Sequence, residues 1–172
     1  MLKNIKLCCI LLFLSAILCG CGYSMGNLGN PQIKTIAIAP IKNQTYIPNM
    51  SEKMRKVLHD RFQFDGSYKV VSMDRADCVL YGNIKAIEMT AYSTGYSKEG
   101  ITYITQEFGL IIQFEFTIVV PGQTKPLLPS TEVAGQSIMQ MPTDYYTAQQ
   151  NAMEQASYQV AIMVVSASTE NW

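Results

Sequence analysis

Apolar residues occupy every second position over a long stretch near the middle of the chain. Between residues 108 and 120 the even positions are apolar, and polar residues such as Gln113, Glu115 and Thr117 lie between them. Successive side chains of a β-strand point to opposite faces, so this period predicts a strand with one buried face. Pro121 ends it. The even set is Phe108, Leu110, Ile112, Phe114, Phe116, Ile118 and Val120.

Two segments instead repeat their apolar residues at the spacing of an α-helix. In the first, Asn49 or Ser51 can cap the start, and Gly66 offers a left-handed exit. The second is a long helix that Thr143 or Asp144 can cap. The apolar positions are Met50, Met54, Val57, Leu58 and Phe62 in the first, and Ala148, Ala152, Met153, Ala156, Val160, Met163, Val164 and Ala167 in the second.

Further strands are predicted around these segments. Ile33–Ile41 is β-branched and apolar, which indicates a buried strand, and Tyr68–Ser72 is a short strand or an edge segment. A turn over residues 74–77 leads into a strand over residues 78–91, and Glu132–Met141 is the last strand. In the strand over residues 78–91, one face is predicted to carry Cys78, Leu80, Gly82, Ile84 and Ala86, and the other Val79, Tyr81, Asn83, Lys85 and Ile87.

These elements predict an α+β fold. Their order is a strand, a helix, a run of three or four strands and a second helix. A single mixed or antiparallel sheet of about four strands, with two helices packed on one face, would bury all of the apolar positions named above. The chain has 172 residues, which is enough for one domain with a sizeable core, and we place that domain at residues 33–172.

The first twenty residues differ from the rest. Lys3 and Lys6 precede the apolar run Leu7–Leu18, which only Ser15 interrupts. This run is too short to span a bilayer, but it fits the apolar core of a secretory signal behind a positive start. The residues LCGC at positions 18–21 look like a bacterial lipobox, in which the last cysteine is acylated.

We therefore expect residues 1–20 to be a lipoprotein signal peptide and Cys21 to be the first residue of the mature chain. Its thiol would carry a diacylglycerol and its amine a third acyl chain, which together anchor it firmly to a membrane. Residues 21–32 would be a lipidated tether. Gly22 stands where an Asp retains many Gram-negative lipoproteins at the inner membrane, and this favours the outer membrane. An uncleaved signal anchor is the alternative.

Charge and motifs exclude several other functions. The chain has 13 basic and 13 acidic residues and no run of five like charges, so nothing predicts nucleic-acid binding. The chain contains no HExxH, GxSxG or GxGxxG motif. His59 is more simply explained as a solvated helix residue than as a catalytic base, and Cys78 as a buried thiol than as a nucleophile. Asp74 and Asp77 are more simply explained as turn acceptors than as a pair of catalytic carboxylates. We expect no enzyme activity, no metal and no cofactor beyond the lipid.

Several segments resemble one known family. CGY follows the lipobox, IKTIAIAPIKNQTYIPN supplies the first strand and its exit, ADCVLYGNIKAI opens the strand at residue 78, and a long helix closes the chain. In this order and spacing they resemble the lipopolysaccharide-assembly lipoprotein family LptE. Ile41 stands where typical members have an aromatic residue.

The resemblance implies a small sheet crossed by two helices, enclosed as a plug by the outer-membrane β-barrel LptD. It also implies roles in assembling that barrel and in moving lipopolysaccharide to the cell surface, from the periplasmic face of the outer membrane. We expect Lys98, Lys125, Lys42 and Asn43 to contact lipid or partner. Lys98 and Lys125 lie in the loops that flank the long strand, where solubilising charges are the alternative explanation.

A second class of lipoprotein shares the first strand and the Ala-Asp-x-x-Leu-x-Gly motif. It comprises outer-membrane accessory lipoproteins of the secretion-channel type and those that activate peptidoglycan synthases. A secretion channel needs further amphipathic hairpins to line its pore, and this chain has one long alternating strand. Synthase activators usually carry a long disordered arm, whereas about ten residues separate Cys21 from the first predicted strand here.

Overall fold

The computed structural model describes residues 33–96, 103–140 and 144–170, which form six strands, two α-helices and one short 3-10 turn. The elements follow one another in the order β1 Thr35–Ile38, β2 Lys42–Asn43, α1 Met50–Asp65, β3 Lys69–Val70, the 3-10 turn Met73–Arg75, β4 Cys78–Tyr96, β5 Tyr103–Val119, β6 Leu128–Gln140 and α2 Tyr145–Glu170.

All six strands belong to one mixed sheet, in the order β3-β1-β4-β5-β6, with β2 paired to β4. β1 runs parallel to β3 and β4, β2 runs parallel to β4, and the long strands β4, β5 and β6 are antiparallel. The α+β class is confirmed, with six strands in place of about four. Of the first predicted strand, Ile33–Ile41, only Thr35–Ile38 is a strand. It ends before Pro40, which has no backbone N–H to donate to a ladder, and β2 follows outside the predicted range.

The even positions of β5 face the core, as the alternation predicts. Leu110, Ile112 and Phe114 are fully buried, as are Phe116 and Ile118. Their polar neighbours are exposed or half-buried. β6 begins at Leu128, four residues before the predicted Glu132. The described part of the last predicted strand ends at Gln140, because Met141 lies outside the described residues.

The predicted faces of β4 are correct for its first half only. A β-bulge falls between Ile84 and Ala86, and beyond it the register changes. Ile87 then pairs with the buried Ile112 and packs on the core, whereas Ala86 pairs with the exposed Gln113. The assignments of Ala86 to the core and of Ile87 to the opposite face were therefore wrong, because one extra residue reverses the alternation.

Both helices pack on one face of the sheet. α1 buries Met50, Met54, Leu58 and Phe62, and it ends at Gly66, whose φ of 75° is left-handed and whose N–H donates to the Phe62 carbonyl at 3.1 Å. Asn49 occupies the N-cap position of α1 but makes no side-chain capping bond, and Ser51 lies inside the helix. Within the described ranges, neither helix has the length and apolarity needed to cross a bilayer.

The start of α2 is capped by one of the two predicted residues. Asp144 accepts a hydrogen bond from the Thr147 N–H at 3.2 Å and so caps the helix, and Thr143 lies outside the described residues.

α2 departs from its predicted apolar side at one position. Met163 is 40% exposed rather than buried, and Ala161 and Val165 are buried instead. The helix presents a broad apolar face to the sheet, and Met163 points away from it.

Candidate functional site on the open face of the sheet

The open face, which is the side of the sheet without helices, carries a row of polar side chains across four strands. In register, Lys42 of β2 pairs with Asn83 of β4, Asn83 pairs with Glu115 of β5, and Glu115 pairs with Glu132 of β6. Paired residues share a face of the sheet, so these side chains project from the same side. We call these four residues the polar row.

One ion pair holds the centre of the polar row. Lys85 Nζ lies 2.9 Å from Glu115 Oε2, and Ser130 Oγ donates to Glu115 Oε1 at 2.6 Å. The hydrogen bond from Lys85, followed by that from Ser130, lowers the pKa of Glu115, and the same carboxylate raises the pKa of Lys85. Glu115 therefore stays ionised at neutral pH although Glu132 lies opposite it.

A depression of about 370 Å³ lies beside the polar row. Lys42, Asn83 and Thr117 line it together with Tyr81, which is 45% exposed. The Asn83 Oδ1 atom is buried and has no hydrogen-bond partner among the described residues. An exposed ammonium group and an exposed aromatic ring, beside the Glu115 carboxylate that also lines the depression, together suit a ligand that offers an anionic group and hydroxyl donors.

Of the four side chains that were predicted to contact lipid or partner, the structure describes three, and these three do not form one cluster. Lys42 is exposed and belongs to the polar row. Asn43 instead shapes the loop after β2: its Nδ2 donates to the Ile47 carbonyl at 2.9 Å, and its Oδ1 accepts from the Thr45 N–H at 3.0 Å. Lys125 is exposed in the turn between β5 and β6, and Lys98 lies outside the described residues, as does Cys21, the predicted lipidation site.

The two candidate catalytic side chains adopt the structural roles that the sequence favoured. Burial, followed by the nearby Asp77 charge, raises the pKa of the Cys78 thiol to about 12, so it is protonated at neutral pH and is not a nucleophile. His59 is half-buried on α1 and has Asp60 Oδ1 3.6 Å from its Nδ1. Over the ranges that the structure describes, no three His, Cys, Asp or Glu side chains come together to hold a metal ion.

Asp74 and Asp77 do not form a paired-carboxylate site. The Asp77 carboxylate accepts the backbone N–H groups of Lys34 and Thr35, both at 2.9 Å, at the point where β1 and β4 begin to pair. Asp74 lies in the 3-10 turn beside Arg75, and a hydrogen bond with Ser72 lowers its pKa. Asp74 therefore serves its own turn, as the sequence predicted, whereas Asp77 joins the starts of two strands that are more than 40 residues apart in the sequence.

The sequence analysis missed a second depression, of about 540 Å³, between α1 and β3. Its charged lining is mostly basic, with Arg55, Lys56 and Arg75 against a single acidic residue, Glu52. The two α1 residues are visible as basic positions on the polar side of the helix. Arg75 lies close to Arg55 and Lys56 because β3 pairs with β1, and no sequence motif predicts that pairing.

Comparison with known proteins decides the family. The lipopolysaccharide-assembly family model, LptE, matches residues 33–168. The chain belongs to the LptE family. No curated protein sequence matches the chain. The LptE match covers every element from β1 onward and nearly all of α2.

Three solved structures share the fold of this LptE family chain at low identity. A protein from Xanthomonas campestris is 14% identical with a TM-score of 0.55, over 81% of this chain and 88% of that chain. A minor lipoprotein from Acinetobacter baumannii is 9% identical, with a TM-score of 0.52 over 81% and 94%. A hypothetical protein from Chlamydia trachomatis is 8% identical, with a TM-score of 0.54 over 81% and 99%. At these identities the likeness shows the fold alone.

The motif that first suggested LptE has a packing role here. Gly82 sits in β4 where an added Cβ would overlap the Phe114 ring and crowd Ile41. The glycine lets the buried phenyl group lie flat against the strand. Leu80 and Ile84, two residues to either side, are fully buried in the core. The Ala-Asp-x-x-Leu-x-Gly-x-Ile segment therefore specifies how β4 meets its neighbours.

Proposed function

We propose that this LptE family chain is a non-catalytic outer-membrane lipoprotein that plugs the LptD β-barrel and helps it to assemble. In that position it would take part in the transport of lipopolysaccharide to the cell surface. The family match over residues 33–168 is the observation that carries the proposal. The structure adds support, because two of its surfaces suit partners.

The outer side of α2 suits enclosure by another protein. Its 26 residues include only two charged ones, Glu154 and Glu170, and its exposed positions include Tyr145, Tyr146 and Tyr158. Surfaces that are poor in charge and rich in tyrosine are typical of protein interfaces. Contact with a barrel wall would bury the exposed tyrosine side chains of this helix and few charged groups.

We further propose that the depression beside the polar row contacts the glycolipid. Lipopolysaccharide presents sugar hydroxyls and phosphate groups. Lys42 can bind a phosphate, Tyr81 can stack on a sugar ring, and the Glu115 carboxylate can accept a hydroxyl hydrogen bond. Lys98 and Lys125 stay predicted contacts on loops, whereas Asn43 acts by holding the loop after β2.

The lipid anchor completes the proposal. Acylation of Cys21 would place the domain at the periplasmic face of the outer membrane, on a tether of residues 21–32. Burial of acyl chains contributes about 0.8 kcal/mol per methylene, so three chains hold a protein far more firmly than a single one. The lipid would therefore keep the plug close to the barrel while that barrel folds.

Affinity purification from the native host tests the function. The full-length chain, tagged at its C-terminus, is extracted in mild detergent and its partners are identified by mass spectrometry. We expect an outer-membrane β-barrel in about equal amounts, with an equally tagged unrelated outer-membrane lipoprotein as the control. Recovery of a peptidoglycan synthase or a secretion channel, without a barrel of the LptD type, would support the second class of lipoprotein.

A further inference from the structure

The two edges of the sheet differ in length and chemistry. One edge is β3, which has only two residues, Lys69 and Val70. The other is β6, which has 13 residues and pairs only with β5 among the described strands. Its segment over residues 133–140 contains neither a charged residue nor a proline. Proteins usually protect a sheet edge with short strands, charges or prolines, and this part of β6 has none of these.

An uncharged groove runs along this edge. A depression of about 420 Å³ is lined by Gln136, Ser137 and Ile138 of β6 and by Gln159 and Met163 of α2. Ile138 is 59% exposed and Met163 40% exposed. The groove thus combines unpaired backbone groups with apolar and amide side chains, which is the chemistry that recognises an extended peptide.

α2 fixes β6 in place, because the helix lies directly over the strand. An added Cβ on Gly135 would overlap the Ala156 carbonyl and the Val160 backbone nitrogen. Ser137 Oγ also donates to the Ala152 carbonyl at 2.7 Å. The strand is therefore held from the core side while no described strand pairs with its outer edge, so a docking strand would meet a preorganised edge.

The position of α2 also argues against a second copy of this chain as the occupant. If two β6 strands paired edge to edge, the two copies of α2 would lie about 4.8 Å apart, one strand spacing. Packed helices need about 8–10 Å between their axes. A single extended segment carries no helix above it and fits without this overlap.

We propose that the outer edge of β6 is a docking site for an extended, uncharged segment of the LptD barrel polypeptide, which adds to the sheet as a seventh strand. The proposal rests on the proposed function for the identity of the partner. The side chains of the added strand would alternate between Ile138 on the open face and Met163 beside the helix. A charged side chain in either row would lose water without gaining a partner.

Edge-blocking substitutions test this proposal. The double variant Gln136→Lys/Ile138→Lys places two charges on exposed positions of the edge, and Gln63→Lys/Met73→Lys places two on exposed positions of α1 and the 3-10 turn. We expect the edge variant to recover about tenfold less barrel from the native host than the wild type, and the control variant to recover an unchanged amount. Thermal melting followed by circular dichroism confirms that both variants fold.

Each result supports or overturns the proposal. Equal recovery of the barrel by the wild type and a folded edge variant overturns the docking site and leaves the proposed function intact. Failure of the wild type itself to recover a barrel overturns the proposed function and the docking site with it. A photoreactive residue at Ile138 should cross-link to an extended barrel segment, and one at Gln63 should not. Cross-linking of Ile138 to a second copy of this chain, or to another protein, overturns the docking site.

Discussion

Asp77 fixes the point at which two parallel strands begin to pair. Its carboxylate accepts the N–H groups of Lys34 and Thr35 at 2.9 Å, and its own N–H donates to Thr35 Oγ1 at the same distance. These hydrogen bonds, the one from the Lys34 backbone first, lower the pKa of Asp77. Both N–H groups donate to the same oxygen, Oδ2, and they bind it more strongly when the carboxylate is ionised.

Asp77→Asn should lower stability in a pH-dependent way. A carboxylate whose pKa is lower in the folded state stabilises the fold above its unfolded pKa of about 4, and this contribution is lost as the pH falls through the folded value. We expect the variant to have a lower urea midpoint than the wild type at pH 7, with the gap closing toward about pH 3. A gap that stays constant from pH 7 to pH 3 would contradict this role.

Gly82→Ala should destabilise the domain, because the new methyl group would overlap the buried Phe114 ring. We expect a loss of about 1–3 kcal/mol in the free energy of unfolding, measured with urea. The same change in a Phe114→Leu background should cost less, because the shorter side chain makes room for the methyl group. Equal costs in both backgrounds would show that Phe114 is not the cause.

Lys42→Ala should weaken glycolipid binding without affecting stability, because Lys42 is exposed beside the polar row. We expect about three- to tenfold weaker binding of purified lipopolysaccharide, with a smaller dependence on salt than in the wild type. Lys69→Ala, an exposed lysine on β3, is the matched control. Identical losses in both variants would indicate general charge attraction rather than a site.

Among the elements, the alternation along β5 was predictable because one strand and its buried face are a local pattern. The reversal within β4 was not, because the bulge after Ile84 depends on how β4 pairs with β5. The candidate site was likewise predictable only in part. Lys42 was predicted as a contact, but the polar row also needs Asn83, Glu115 and Glu132, which three other strands supply. These residues come together because of the order of the strands in the sheet, which no local sequence pattern predicts.

Gly135→Ala tests the contact between β6 and α2. The added Cβ would overlap backbone atoms of Ala156 and Val160, which cannot rotate away as a side-chain tip can. We therefore expect a loss in the free energy of unfolding of about 2–3 kcal/mol, as large as that for Gly82→Ala or larger. Ala134→Ser, at the exposed neighbouring position, should change stability by less than about 0.5 kcal/mol. Similar stability of the two variants would contradict the close packing of α2 on β6.

For the whole molecule, the proposed anchor would decide where the domain can act. If Cys21 carries the lipid, Cys21→Ala removes the acylated thiol, so we expect the precursor to stay uncleaved or the protein to leave the outer-membrane fraction. Sucrose-gradient fractionation and intact mass measurement follow both outcomes, with Cys78→Ala, a buried cysteine within the domain, as the control. Unchanged mass and membrane partitioning in Cys21→Ala would contradict lipidation at this residue.

One long-range hydrogen bond has a consequence for biogenesis. The Tyr68 hydroxyl donates to the Ser168 carbonyl at 3.1 Å and so joins the start of β3 to the last turn of α2, 100 residues later. Until that turn emerges, α1 and the sheet lack the helix that completes their common core. On the export route that the proposed function requires, the precursor would therefore cross the inner membrane still unfolded and reach its native state only after the last turn of α2 has arrived. Folding would then be completed only at the end of export across the inner membrane.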